Sequence, residues 1–142
     1  RIREVRYHCA MANKRRLLIA DDEPMILGIM ESALAGPAWE ITTAQNALDA
    51  LMKARDLRPF LIITDVQMPS FGKGTDMVRA LRKEKATATT PVIVMTGMDL
   101  QRAQALLPQN DPYTRLIGKP PDFDKIEALI RELAGVDPKA GA

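Results

Sequence analysis

Five residues of this chain carry side chains suited to handling phosphate, and all five stand at the end of a short apolar run. Asp21 and Asp22 follow Leu17-Leu18-Ile19-Ala20, and Asp65 follows Leu61-Ile62-Ile63-Thr64. Thr96 follows Val92-Ile93-Val94-Met95, and Lys119 follows Arg115-Leu116-Ile117-Gly118. Three carboxylates gathered at one place repel each other strongly when partly desolvated. A divalent cation among them removes that cost. Oxygen ligands without His or Cys suit a hard ion, Mg²⁺ before a softer metal. A hydroxyl and an ammonium on the opposite side suit a group with several anionic oxygens. The chemistry implied is phosphoryl transfer, with a carboxylate available as nucleophile.

Each residue taken alone also has a local reading. Asp21 and Asp22 could cap a helix starting near Pro24. Asp65 could form an Asx turn before Pro69. Thr96-Gly97-Met98-Asp99 has the spacing of a capping box. Lys119 could be a solvated loop lysine. These readings are independent of one another and do not explain why all five residues end apolar runs.

The elements that must position them alternate in type. The four apolar runs are strands, and Trp39-Glu40-Ile41-Thr42-Thr43 alternates like a strand exposed on one side. Helical spacing follows each strand. Met25, Ile26, Ile29, Met30, Ala33 and Leu34 recur in the first helix, stopped by Gly36-Pro37. Ala44, Ala47, Leu48, Leu51 and Met52 form the expected inner face of the second. Met77, Val78 and Leu81 point inward from the third, residues 98–107 make a shorter fourth, and Phe123, Ile126, Leu129, Ile130 and Leu133 share a face of the last. Residues 68–74 read as a breaker-rich loop. Strand–helix alternation five times over predicts an α/β domain: a parallel sheet with helices on both faces, joined by right-handed crossovers. Such sheets bind ligands beyond the carboxyl ends of their strands, where the five residues fall.

Composition is ordinary for a globular chain of 142 residues, with 46% hydrophobic and 27% charged residues. A net charge of +2 gives no support to direct nucleic-acid binding. The single cysteine, Cys9, excludes an intramolecular disulfide and fits a reducing, cytoplasmic compartment. No apolar run is long enough to span a membrane. His8-Cys9 lacks the further His or Cys that a metal site would need.

The sequence resembles the receiver domains of two-component response regulators, CheY-like proteins. The resemblance rests on Leu18-Ile19-Ala20-Asp21-Asp22-Glu23, Ile63-Thr64-Asp65-Val66-Gln67-Met68-Pro69, Val94-Met95-Thr96-Gly97 and Gly118-Lys119-Pro120. It implies a flavodoxin-like, doubly wound fold with five parallel strands in the order 2-1-3-4-5 and five helices. It implies that Asp65 accepts a phosphoryl group from a histidine kinase or a histidine phosphotransfer protein. Asp22, Asp65 and the backbone carbonyl of Gln67 would ligate Mg²⁺, with Asp21 acting mainly through water. Thr96 and Lys119 would each meet a phosphoryl oxygen, and the Lys119-Pro120 bond would be cis. The output would be altered binding to a downstream effector or fused output domain. Homodimerisation is a further possibility, the face of the fourth helix, fifth strand and last helix being the family's usual partner surface. The receiver would occupy residues 14–135. Residues 1–13 read as upstream sequence or an arm, and 136–142 as a tail or the start of a linker.

The chain departs from the family pattern at three places. Leu116 stands where an aromatic residue usually couples the threonine to the output face. The segment after Pro69 is one residue longer than usual, and Gly72 and Gly74 predict a mobile loop. Pro121 follows Lys119-Pro120 and should stiffen the entry to the last helix. Two other readings compete with a phosphorylatable receiver. One is a pseudo-receiver acting purely as an interaction scaffold, which the intact Asp22, Asp65, Thr96 and Lys119 argue against and only Leu116 keeps open. The other is a small Mg²⁺-dependent phosphatase, which Gln67 disfavours because it stands where a second catalytic acid is expected.

Overall fold

The computed structural model describes residues 14–134. The proposed arm and tail, with His8 and Cys9, lie outside the described residues. Five strands form one parallel sheet: β1 (Arg15–Ala20), β2 (Trp39–Ala44), β3 (Leu61–Asp65), β6 (Val92–Thr96) and β7 (Thr114–Gly118). Their order across the sheet is β2-β1-β3-β6-β7. Numbered among themselves, these strands have the predicted order 2-1-3-4-5. Five helices connect or follow them: α1 (Pro24–Leu34), α2 (Ala47–Leu57), α3 (Met77–Lys83), α4 (Leu100–Ala105) and α5 (Phe123–Ala134).

The period-2 pleat of the strands divides the core in two. Leu17, Ile19, Leu61, Ile63, Ile93, Met95 and Ile117 pack on one face with Met30 of α1 and with Ile126 and Ile130 of α5. Leu18, Ala20, Ile62, Val92 and Val94 pack on the other with Ala47, Ala50 and Ala54 of α2 and with Met77, Val78 and Leu81 of α3. The inner strands are buried on both faces, which is why they read as unbroken apolar runs rather than alternating ones.

Two helical faces differ from the expected stripes. α2 packs on the sheet through its alanines, and this close approach turns Leu48 and Met52 outward, 49% and 45% exposed. In α1 the buried residues are Leu27, Met30 and Leu34, while Met25 and Ile29 face outward. Apolar residues outnumber the positions one side of either helix can bury, so residue type alone did not locate the seam.

The segment after Asp65 is a hairpin, not an irregular loop. β4 (Gln67–Ser70) pairs antiparallel with β5 (Lys73–Asp76). Phe71 and Gly72 make the two-residue turn with φ of +50° and +77°. Both central residues left-handed is the condition for a turn whose twist matches the flanking strands. The segment expected to be mobile is thus a paired hairpin.

Candidate functional site

Asp21 follows the last residue of β1, and its carboxylate is fully buried. Asp22 and Glu23 come next and are exposed. Glu23 is the N-cap residue of α1 but makes no capping side-chain bond, and Pro24 begins the helix. Asp21 Oδ1 instead accepts the Glu23 N–H at 2.9 Å. The capping reading of the acidic pair is therefore incorrect for this helix. What Asp21 does is fix the turn that carries Asp22 to the rim.

Asp65 is the last residue of the central strand β3. Its Oδ1 accepts the N–H of Val66 at 2.8 Å, and its Oδ2 accepts from Lys119 Nζ at 3.0 Å. Carboxylate oxygens of Asp21, Asp22 and Asp65 all lie within 4.8 Å of one another. Lys119 Nζ also stands 2.7 Å from Asp21 Oδ2 and 3.6 Å from Glu23 Oε1. The Asp21 contact is an ion pair outside good hydrogen-bond alignment, so this buried oxygen lacks a well-directed donor. Sequence reasoning left Glu23 out of the site. Its adjacency to Asp21-Asp22 was the available signal.

Register places the remaining residues. Asp65 pairs with Met95, one residue before Thr96, and Thr96 pairs with Gly118, one residue before Lys119. The Lys119 N–H donates to the Thr96 carbonyl at 2.7 Å. Thr96 is buried, and its Oγ1 accepts the Met98 N–H at 3.0 Å, which leaves the hydroxyl hydrogen free to be aimed at an anion. The helix cap below it is Asp99, accepting from Arg102, so Thr96-Gly97-Met98-Asp99 is not a reciprocal capping box. The Lys119-Pro120 bond is cis. Gln67 opens β4 two residues after Asp65, and its side-chain amide donates to Asp76 Oδ1 at 2.8 Å.

Electrostatics follow from this crowding. Burial pushes the Asp65 carboxyl above its ordinary value; Lys119 pulls it down, and the Asp21 charge adds to the rise. Burial works to lower the Lys119 pKa, but its close contact with Asp21, its bond to Asp65 and the charges of both carboxylates prevail and raise it. The ammonium thus stays charged and offsets part of the repulsion among three acids. The donors are all oxygens, two of them partly or fully accessible and one buried without a well-aligned partner. That set fits a hard divalent cation, Mg²⁺ foremost.

The residues brought together on one rim are those of a known family. The pattern defining the response regulator receiver domain matches residues 17–131. A probable transcriptional regulatory protein of Mycobacterium tuberculosis, TcrX, is 31% identical over 119 residues, covering 82% of this chain and 48% of the relative. The chain thus spans about half the length of that curated relative. A response regulator from Desulfuromonas acetoxidans superposes with a TM-score of 0.69 at 30% identity, covering 83% of this chain and 94% of that one. The receiver domain of the sensor histidine kinase PA1611 from Pseudomonas aeruginosa, solved with a magnesium ion coordinated in its active-site cleft, gives a TM-score of 0.72. Its 20% identity, over 87% of this chain and 99% of that one, bears on the fold alone. With more than half its length matched by the family pattern, this chain belongs to the receiver domains of response regulators.

Proposed function

We propose that this domain accepts a phosphoryl group on Asp65 from the phosphohistidine of a histidine kinase or phosphotransfer protein, and thereby changes its binding to an effector or fused output domain. The observation that carries the reading is the convergence of Asp21, Asp22 and Asp65 within 4.8 Å, with Lys119 bridging Asp21 and Asp65. An Asp65 carboxylate oxygen attacks phosphorus, the O–P bond forms, the N–P bond to the donor imidazole breaks, and that imidazole takes up a proton. Val66 N–H holds one oxygen of the nucleophile and so limits its rotation. Lys119 pairs with a phosphoryl oxygen as charge develops, and the Thr96 hydroxyl donates to another. Asp21, Asp22, Asp65 and the Gln67 carbonyl would hold Mg²⁺, which when bound supplies positive charge against the phosphoryl oxygens.

The role is that of a signalling module with slow self-hydrolysis rather than turnover of external substrates. Gln67, at the place of a second catalytic acid, is tied to Asp76. Leu116 is half-buried against the α2–α3 side of the core and has no ring to exchange between core and solvent, so the output switch differs from the family's usual one. We place the domain in the cytoplasm, where such donors act, and no helix among the described residues is long and apolar enough to cross a membrane. Incubation with a small-molecule phosphoryl donor and Mg²⁺ tests the assignment. The wild-type protein should gain a hydroxylamine-labile phosphate and Asp65→Asn should not; equal labelling of both would refute it.

A further inference from the structure

Phe71 occupies the tip of the β4–β5 hairpin, 89% exposed, with φ of +50°. Both facts disfavour it there. A left-handed backbone suits Gly, Asn or Asp at this turn position, and a solvated ring contributes nothing to the core. A residue strained and exposed at once points to a contact outside its own fold. Beside the tip, a groove of about 490 Å³ runs between α2 and α3, floored by Leu48, Leu51 and Met52. Leu48 also lines a smaller hollow with Pro69 and Phe71, so projecting ring and groove share one flank. That flank lies away from the α4–β7–α5 side. The groove's rim carries both signs: Asp76 and Glu84 beside Arg55, Lys83 and Arg79, the last turned to the carbonyls of Ala105, Leu106 and Leu107.

We propose that this flank is an interface with a second copy of the chain, Phe71 of each copy seated in the α2–α3 groove of the other. A face carrying both a knob and a matching hollow is self-complementary, which is the requirement of a two-fold interface. The mixed rim suits this occupant: a second copy can set its Arg55 and Lys83 against the other's Asp76 and Glu84, whereas a partner of one sign would meet like charge at part of the rim. A buried ring is worth enough area to anchor such a contact, and the groove is large enough to take it. Leu48 and Met52, turned outward by the alanine packing of α2, then gain apolar cover. The proposal is independent of phosphorylation at Asp65.

Sedimentation velocity of the full 142-residue chain, from about 10 µM to about 1 mM, tests it. The expected result is a dimer fraction that rises with concentration. Phe71→Asn keeps the left-handed turn and the fold, and should weaken the dimer at least about thirty-fold. Met52→Asp should do the same from the groove side. Leu100→Ser on α4 should leave the dimer unchanged. A chain that stays monomeric throughout, a dimer that survives both flank substitutions, or one abolished only by Leu100→Ser would each overturn the proposal.

Discussion

The Lys119 ammonium lies 3.0 Å from Asp65 Oδ2, joining the ends of two strands whose residues are 54 positions apart in the chain. The same nitrogen reaches the buried Asp21. Lys119 is thus the resident counter-ion of the acidic cluster, and its removal leaves buried charge uncompensated. Lys119→Met should destabilise the metal-free fold by about 3 kcal/mol. Mg²⁺ should restore much of that stability and bind the variant more tightly than the wild type. Chemical denaturation with and without Mg²⁺ measures both, and a variant indifferent to Mg²⁺ would contradict this account.

Asp65 is held ionised at a cost, because burial and Asp21 raise its pKa above the ordinary value. Replacing the charge with a neutral isostere removes that cost. Without metal, Asp65→Asn should therefore melt a few degrees above the wild type, while accepting no phosphoryl group. Added Mg²⁺ should narrow the difference, since it stabilises the wild-type cluster more. Thermal melts at neutral pH give the comparison.

Far from the rim, Arg82 of α3 donates to Asp111 at 2.8 Å and also to Thr114 Oγ1 and the carbonyls of Thr87 and Thr90. Burial acts to raise the Asp111 pKa, but bonds from Arg82, Thr114 and the Tyr113 N–H outweigh it and lower the pKa. A carboxyl lowered on folding contributes stability that is present above its unfolded value, near 4, and lost as pH falls through the lower folded one. Asp111→Asn should cost about 2 kcal/mol at pH 7. The gap between variant and wild type should close progressively below about pH 4. Urea titrations across that range check it; a constant gap would show that the Asp111 charge is not responsible.

The hairpin turn makes an opposite pair of predictions. At protein concentrations low enough to keep the chain monomeric, Phe71→Asn should stabilise it by about 0.5–1 kcal/mol, because Asn adopts positive φ more readily. Gly72→Ala should destabilise it by about 1–2 kcal/mol, because at φ +77° a Cβ is strained even though open space surrounds it. Denaturation midpoints for the two variants should move in opposite directions.

Much of this was legible in the chain. The buried strands announced themselves because two-sided burial demands unbroken apolar runs, and the β-α alternation implied a parallel sheet, while its strand order came from the family resemblance. Asp21, Asp22, Asp65, Thr96 and Lys119 could be placed on one rim because all parallel strands deliver their carboxyl ends to the same edge. Less legible were the features that depend on which side of a helix meets the sheet. α1 and α2 carry more apolar residues than one seam can bury, and close packing through Ala47, Ala50 and Ala54 decided that Leu48 and Met52 face out. The hairpin escaped because Ser70-Phe71-Gly72-Lys73 lacks the Asn-Gly or Asp-Gly that usually signals such a turn.

By itself, then, the sequence determined the layer architecture and the delivery of Asp21, Asp22, Asp65, Thr96 and Lys119 to one edge of the sheet, since these follow from local periodicity and strand direction. Only the tertiary structure decided that Lys119 bridges Asp21 and Asp65, that Asp21 braces a turn instead of capping a helix, and that Phe71 projects beside an open groove. Those are relations between segments distant in sequence or choices among equivalent local options. Their outcome is set by packing and by the need to neutralise buried charge, neither of which any single stretch of chain encodes.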